Sequence, residues 1–66
     1  MRLDKYLKVS RLIKRRTVAN EACDAGRVMI NDKPAKASTN VKVGDIIAIQ
    51  FGNKEVKVEV LDISEV

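Results

Sequence analysis

The chain has 66 residues, 45% of them hydrophobic and 33% charged, with a single cysteine and no histidine or tryptophan. A domain of this size buries only about 60% of the surface its unfolded chain exposes, which leaves little room for a deep catalytic cleft. One cysteine excludes an internal disulfide framework, and without histidine a zinc site has almost no ligand set.

No stretch approaches the roughly 20 apolar residues that span a bilayer. The opening Met1-Arg2-Leu3-Asp4-Lys5 carries an acid and no apolar run behind it, unlike a signal peptide. The expectation is one cytoplasmic domain covering residues 1–66, without membrane, metal or cofactor. The formal charge is +4, unevenly spread. Residues 1–36 hold ten cations against four acids, a net +6, and residues 37–66 hold three against five, a net −2. A positive field confined to one half suggests a polyanionic partner.

Leu3, Tyr6, Leu7 and Ser10 follow the spacing of one helical face. Arg2, Lys5 and Lys8 fall off that face, so a short first helix buries its leucines and exposes a basic side. Tyr6 could stack on a base, but its spacing favours the core. Asp4 lies in the first turn, where the helix dipole favours a carboxylate. It could also orient a neighbouring arginine.

From Val9 to Arg16 the chain links this helix to a second. Leu12 and Ile13 pin the link to the core, leaving Arg11, Lys14, Arg15 and Arg16 outside. Thr17 is then a candidate N-cap. Val18, Ala19, Ala22, Cys23 and Ala25 form a stripe of small apolar residues, with Cys23 read as a buried side chain. Gly26 suits the left-handed position past a helix end. Cations beside the free N–H groups of a helix start both attract phosphate. They also repel the dipole, a conflict that an anion at the site would relieve.

Val28 to Ile30 reads as a short strand and Asn31-Asp32-Lys33-Pro34 as a turn. Asn31 could bond a nucleotide or simply close its turn. Lys36 to Asn40 reads as a polar loop, in which Lys36 could reach a phosphate or be solvated. Gly44-Asp45 marks another turn. Ile46 to Phe51 and Lys54 to Leu61 form a hairpin around Gly52-Asn53, with Ile47, Ile49 and Phe51 on one face of the first strand and Val56, Val58 and Val60 on one face of the second. The helices can pack on this sheet.

No nucleophile and base share a recognisable pattern, and the three glycines are isolated, so neither catalysis nor a phosphate-binding loop is expected. The whole reads as a basic helix-turn-strand surface for RNA.

Arg2-Leu3-Asp4-Lys5-Tyr6-Leu7, Ser10-Arg11, Arg15-Arg16-Thr17, Ala25 through Asn31 and Val43-Gly44-Asp45, taken in order, resemble the S-four-type RNA-binding domain, or alpha-L motif. That family's fold is α+β, two short helices on a small, mostly antiparallel sheet. The resemblance puts RNA on the helical face, at Arg2, Arg11, Lys14, Arg15, Arg16, Thr17 and Asn31. Lys5 and Lys36 join these as candidates from their basic positions. Among free-standing members the chain is most similar to the bacterial RqcP (YabO) group, through MRLDKYLKVSRLIKRRTVA and the later KAS and GD. That likeness implies ribosomal RNA and peptidyl-tRNA on an obstructed large subunit as targets, an RqcH-type protein as partner during alanine tailing, and no enzyme activity. A monomer is expected. The fifteen-kilodalton ribosomal heat-shock protein is a close cousin with a basic C-terminal extension, which the closing Ile63-Ser64-Glu65-Val66 does not resemble. A general ribosome or tRNA factor of that cousin's type, a basic protein-interaction module and the targeting domain of a modifying enzyme are the alternatives.

Overall fold

In the computed structural model, which describes residues 1–63, Leu3 and Leu7 lie one helical turn apart and are both fully buried. They belong to α1 (Leu3–Val9), which packs against α2 (Arg16–Asp24). Four strands follow: β1 (Val28–Ile30), β2 (Lys33–Pro34), β3 (Ile46–Phe51) and β4 (Lys54–Glu59). They pair antiparallel in the order β2-β1-β3-β4. The observed fold is therefore the α+β arrangement that the residue pattern implies. Ser64, Glu65 and Val66, part of the C-terminal comparison above, lie outside the described residues.

The helices are short, and seven residues in isolation would not hold a helix in water. Tertiary anchoring supplies what propensity lacks. The N–H groups of Leu3 and Asp4 donate to the carbonyls of Thr39 and Ala37, at 2.8 and 3.2 Å. The segment 35–41 thus lies across the start of α1 as a strap. Its alternate members Ala35 and Ala37, and then Val41, enter the core. Lys36 to Asn40 is irregular, the loop expected from its polar residues, but Ala37 within it is buried, which periodicity does not register because alanine is small and sits among polar neighbours.

Both helices are followed by a residue at positive φ. Beyond α2, Gly26 has φ of 75°, its N–H donates to Cys23 and the N–H of Arg27 reaches back to Ala22. These are the two bonds of a Schellman ending, with Gly26 where expected. Beyond α1, Arg11 occupies the corresponding position with φ of 64°, and its N–H donates to Lys8. A side chain other than glycine is strained in this conformation.

The core lies between the helices and one face of the sheet. Registers Val28–Ile49–Val56 and Ile30–Ile47–Val58 put these apolar residues on that face. Burial fades along the hairpin: Val60 is fully buried and Val58 partly, while Val56 and Phe51 at the distal end are exposed. On α2, Ala19 and Cys23 are buried, but Val18 and Ala25 are exposed, contrary to the single stripe expected. Two residues at i and i+4 suffice for so close a helix contact, and the other small side chains fall to either side of it. The Asn31-Asp32 turn joins β1 to β2 with both residues at positive φ, the backbone of a two-residue type I′ hairpin.

Candidate nucleic-acid interface

Asp4 is a carboxylate only 2% exposed, and its position organises the basic surface. Its Oδ1 accepts from the N–H of Lys5 at 2.8 Å. Its Oδ2 accepts from Asn20 Nδ2 at 3.3 Å and from Arg2 Nη2 at 3.3 Å, and pairs with Arg16 Nε at 3.4 Å. Burial pushes the Asp4 pKa up, but hydrogen bonds from Asn20, Arg16 and the Lys5 N–H outweigh it, together with the charge of Arg16. The net effect holds Asp4 below its ordinary value, so it is ionised at neutral pH. Both arginines stay about half exposed while tethered at one end. Of the two roles open to Asp4, orienting arginines is therefore realised, at two positions.

Arg16 and Asn20 are one turn apart on α2, so one buried oxygen grips the first turn of that helix from α1. This explains how α2 begins. Thr17 is not its N-cap: the cap is Arg15, in extended backbone, with no side-chain capping bond. The anchor comes across from Asp4, and α2 starts two residues before a Thr17 cap would begin it. Thr17 instead lies exposed in the first turn. With Asp4, Arg16, Asn20 and Glu21 it lines a shallow depression of about 380 Å³. The conflict between cations and helix dipole is also partly relieved from within, since Asp4 is the anion nearest Arg16.

Among the described residues Arg11, Lys14 and Arg15 have no ion-pair partner, and all three are exposed. Arg2 is held by the strap as well as by Asp4, through its bridge to Asn40 and the bond from the Met1 ammonium to Asn40 Oδ1. Lys5 is half buried on α1. Lys36 is exposed on the strap, its N–H donating to Thr39 Oγ1. Asn31 sits apart, on the β1–β2 turn. Its Oδ1 accepts from the N–H of Ile46 and its Nδ2 donates to Asp45, so it ties that turn to β3. On the hairpin, Lys57 is flanked by Asp32 and Glu55, at 4.0 and 3.7 Å. Lys33, Lys42 and Lys54 also have no ion pair among the described residues, so the helical surface is set apart by density, with Arg11, Lys14, Arg15 and Arg16 inside one six-residue stretch.

Asn20 is the member of this cluster that sequence reasoning missed. Its only signal is a polar side chain four residues after Arg16. The Cys23 thiol is pushed up to about 11, by burial and then by the charges of Asp4 and Asp24, which makes it a poor nucleophile. Among the described residues no group of three or more His, Cys, Asp or Glu side chains is placed to hold a metal ion, and no helix is long and apolar enough to cross a membrane.

The S4 domain family profile matches residues 1–47, which include both helices, the strap and every cation of the helical surface. The chain belongs to the S4 domain family. Within it, the chain groups with proteins named RQC P-site tRNA stabilizing factor: it is 58% identical over 65 residues to those of Halalkalibacterium halodurans and Streptococcus pneumoniae, covering 98% of this chain and 74% of each relative. Among solved structures it superposes on heat shock protein 15 of Vibrio cholerae, described as trimeric, with a TM-score of 0.90 at 34% identity. That match covers 97% of this chain, which spans 65% of that protein's length. The S4 domain match ends just inside β3, so β4 and the hairpin lysines fall beyond it.

Proposed function

We propose that this chain is a non-enzymatic, cytoplasmic RNA-binding factor that docks on obstructed large ribosomal subunits. It contacts ribosomal RNA and the peptidyl-tRNA left after a stalled ribosome splits. The observation that carries this reading is the pair of half-exposed arginines held by buried Asp4 beside the unpaired Arg11, Lys14 and Arg15. Tethered guanidiniums lose less freedom on gripping phosphate, and their planar forks can take two oxygens together. The unpaired cations add counterion release, and a packed helix pair offers the fixed surface that recognition of folded RNA by shape requires. Lys5, Thr17 and Lys36 border this surface and extend it. Asn31 contributes at the strand turn with the bonding capacity its internal contacts leave. Relatives named for stabilising P-site tRNA support the choice of target.

In this role the chain acts as one monomeric domain and supports alanine tailing by an RqcH-type protein. The test is sedimentation of the tagged protein on gradients of large subunits with and without peptidyl-tRNA, with tailing measured in cells lacking the protein. Enrichment on the tRNA-bearing subunits at one copy each, and loss of tailing, are expected. Equal binding to empty subunits with normal tailing would favour a general ribosome factor instead, a reading favoured by the likeness to heat shock protein 15.

A further inference from the structure

The distal end of the hairpin extends past the helices and leaves a groove of about 430 Å³ between it and the start of α2. Leu12, Val18, Ile49 and Phe51 form its apolar walls, and Lys14 and Arg27 stand at its rim. Among the described residues no carboxylate lines it. Phe51 and Val18 are 43% and 48% exposed, a large share for apolar side chains that sit together. The groove falls in the size range of small-ligand sites, about 300–1,000 Å³.

We infer that this groove receives the unstacked base of one nucleotide of the bound RNA, with the adjoining phosphate at Lys14 and Arg27. The inference rests on the RNA-binding reading above and adds a second element to it. Three observations select this occupant. The charged residues of the lining, Lys14 and Arg27, are both cations, which suits a ligand anionic at its edge and apolar within. Phe51 supplies an aromatic wall, and single-stranded bases are recognised by stacking on such rings. Lys14 belongs both to the rim and to the cationic run from Arg11 to Arg16, so an RNA strand following that run delivers a phosphate to the groove mouth. Phosphate contacts alone carry no base information. The groove therefore supplies what the arginines lack, a preference for RNA with an extruded nucleotide over continuous duplex.

The test places the photoreactive amino acid p-benzoylphenylalanine at position 51 and irradiates the protein on purified large ribosomal subunits carrying peptidyl-tRNA. A crosslinked adduct that nuclease shortens and protease does not remove from the RNA is expected. An adduct to a protein, or no adduct while the protein still cosediments, overturns the inference and leaves the RNA-binding reading standing. Failure of the unmodified protein to cosediment at all defeats both. As a second arm, a short RNA hairpin with one bulged 2-aminopurine is compared with its fully paired and abasic counterparts. The bulged form should bind about tenfold tighter, with its fluorescence quenched. Phe51→Leu, which keeps an apolar side chain and removes the ring, should erase that preference while leaving affinity for the paired hairpin and the thermal midpoint unchanged. Equal binding of the three hairpins by the wild-type protein, or an intact preference in Phe51→Leu, would overturn the inference.

Discussion

Replacing Asp4 by asparagine keeps the shape of the side chain and removes its charge, so it isolates what the buried carboxylate does. The Lys5 N–H keeps an acceptor. The Asn20 bond changes from charge-assisted to neutral, a difference of about 1 kcal/mol. The two ion pairs involve arginines half in water, so each contributes at most about 1 kcal/mol. An added NH₂ group must also face existing donors. The expected loss is about 2 kcal/mol at pH 7, equivalent to a fall in Tm of about 8–16 °C for a domain this small. The pH dependence is more diagnostic than the size. Because the folded-state pKa of Asp4 is lowered, its contribution is complete above the unfolded value of about 3.9 and disappears as pH falls through the folded one. Protonated Asp4 is electrically equivalent to asparagine, so wild type and Asp4→Asn should differ at pH 7 and converge in acid below about pH 4. Urea unfolding followed by circular dichroism from neutral pH into that acid range measures the gap. A gap that stays constant across the range, or none at pH 7, would refute the account of Asp4.

Other substitutions probe the frame around it. Gly26→Ala should destabilise by roughly 1 kcal/mol, because alanine is strained at φ of 75° even with no atom near the added methyl, and an unchanged thermal midpoint would contradict that. Arg11→Gly should leave stability unchanged or raise it by up to about 1 kcal/mol, the relieved strain offset by glycine's entropy, while weakening RNA binding; retained affinity would mean that Arg11 does not touch RNA. Leu7→Ala should cost about 2–5 kcal/mol in urea melts, since Leu7 is fully buried in the shared core; a loss of a few tenths would place α1 outside it.

Local signals sufficed wherever a residue's role depends on its neighbours in the chain. Leu3 and Leu7 one turn apart, Gly26 after a run of small residues and the alternation from Ile47 to Ile49 each reveal their element directly. The roles set by tertiary contacts were not legible. Asp4 carries the same first-turn signal whether it faces water or sits beneath two arginines. The strap is hidden because alanines contribute little to a hydrophobic pattern. Thr17 has the chemistry of a cap, but a cap is optional when another helix anchors the first turn, and Asp4 does so through Arg16 and Asn20. The exposure of Val18 and Phe51 depends on where the hairpin outruns the helices, a length relation between distant segments that no window of sequence contains.

In the proposed function the helical arginines, and not the hairpin lysines, hold the RNA. The decisive measurement is binding to large ribosomal subunits across a salt series, with circular dichroism to establish that each variant is folded. Each phosphate contact contributes about 0.7–0.9 to the slope of log affinity against log salt. Arg15→Ala with Arg16→Ala should largely abolish association at moderate salt and flatten the slope by about 1.4–1.8, and Arg16→Lys should weaken binding through loss of the planar fork. Lys54→Ala with Lys57→Ala should leave affinity and slope nearly unchanged, since Lys57 is already flanked by Asp32 and Glu55. Equal losses from the two pairs would contradict the account and move the RNA off the helix surface.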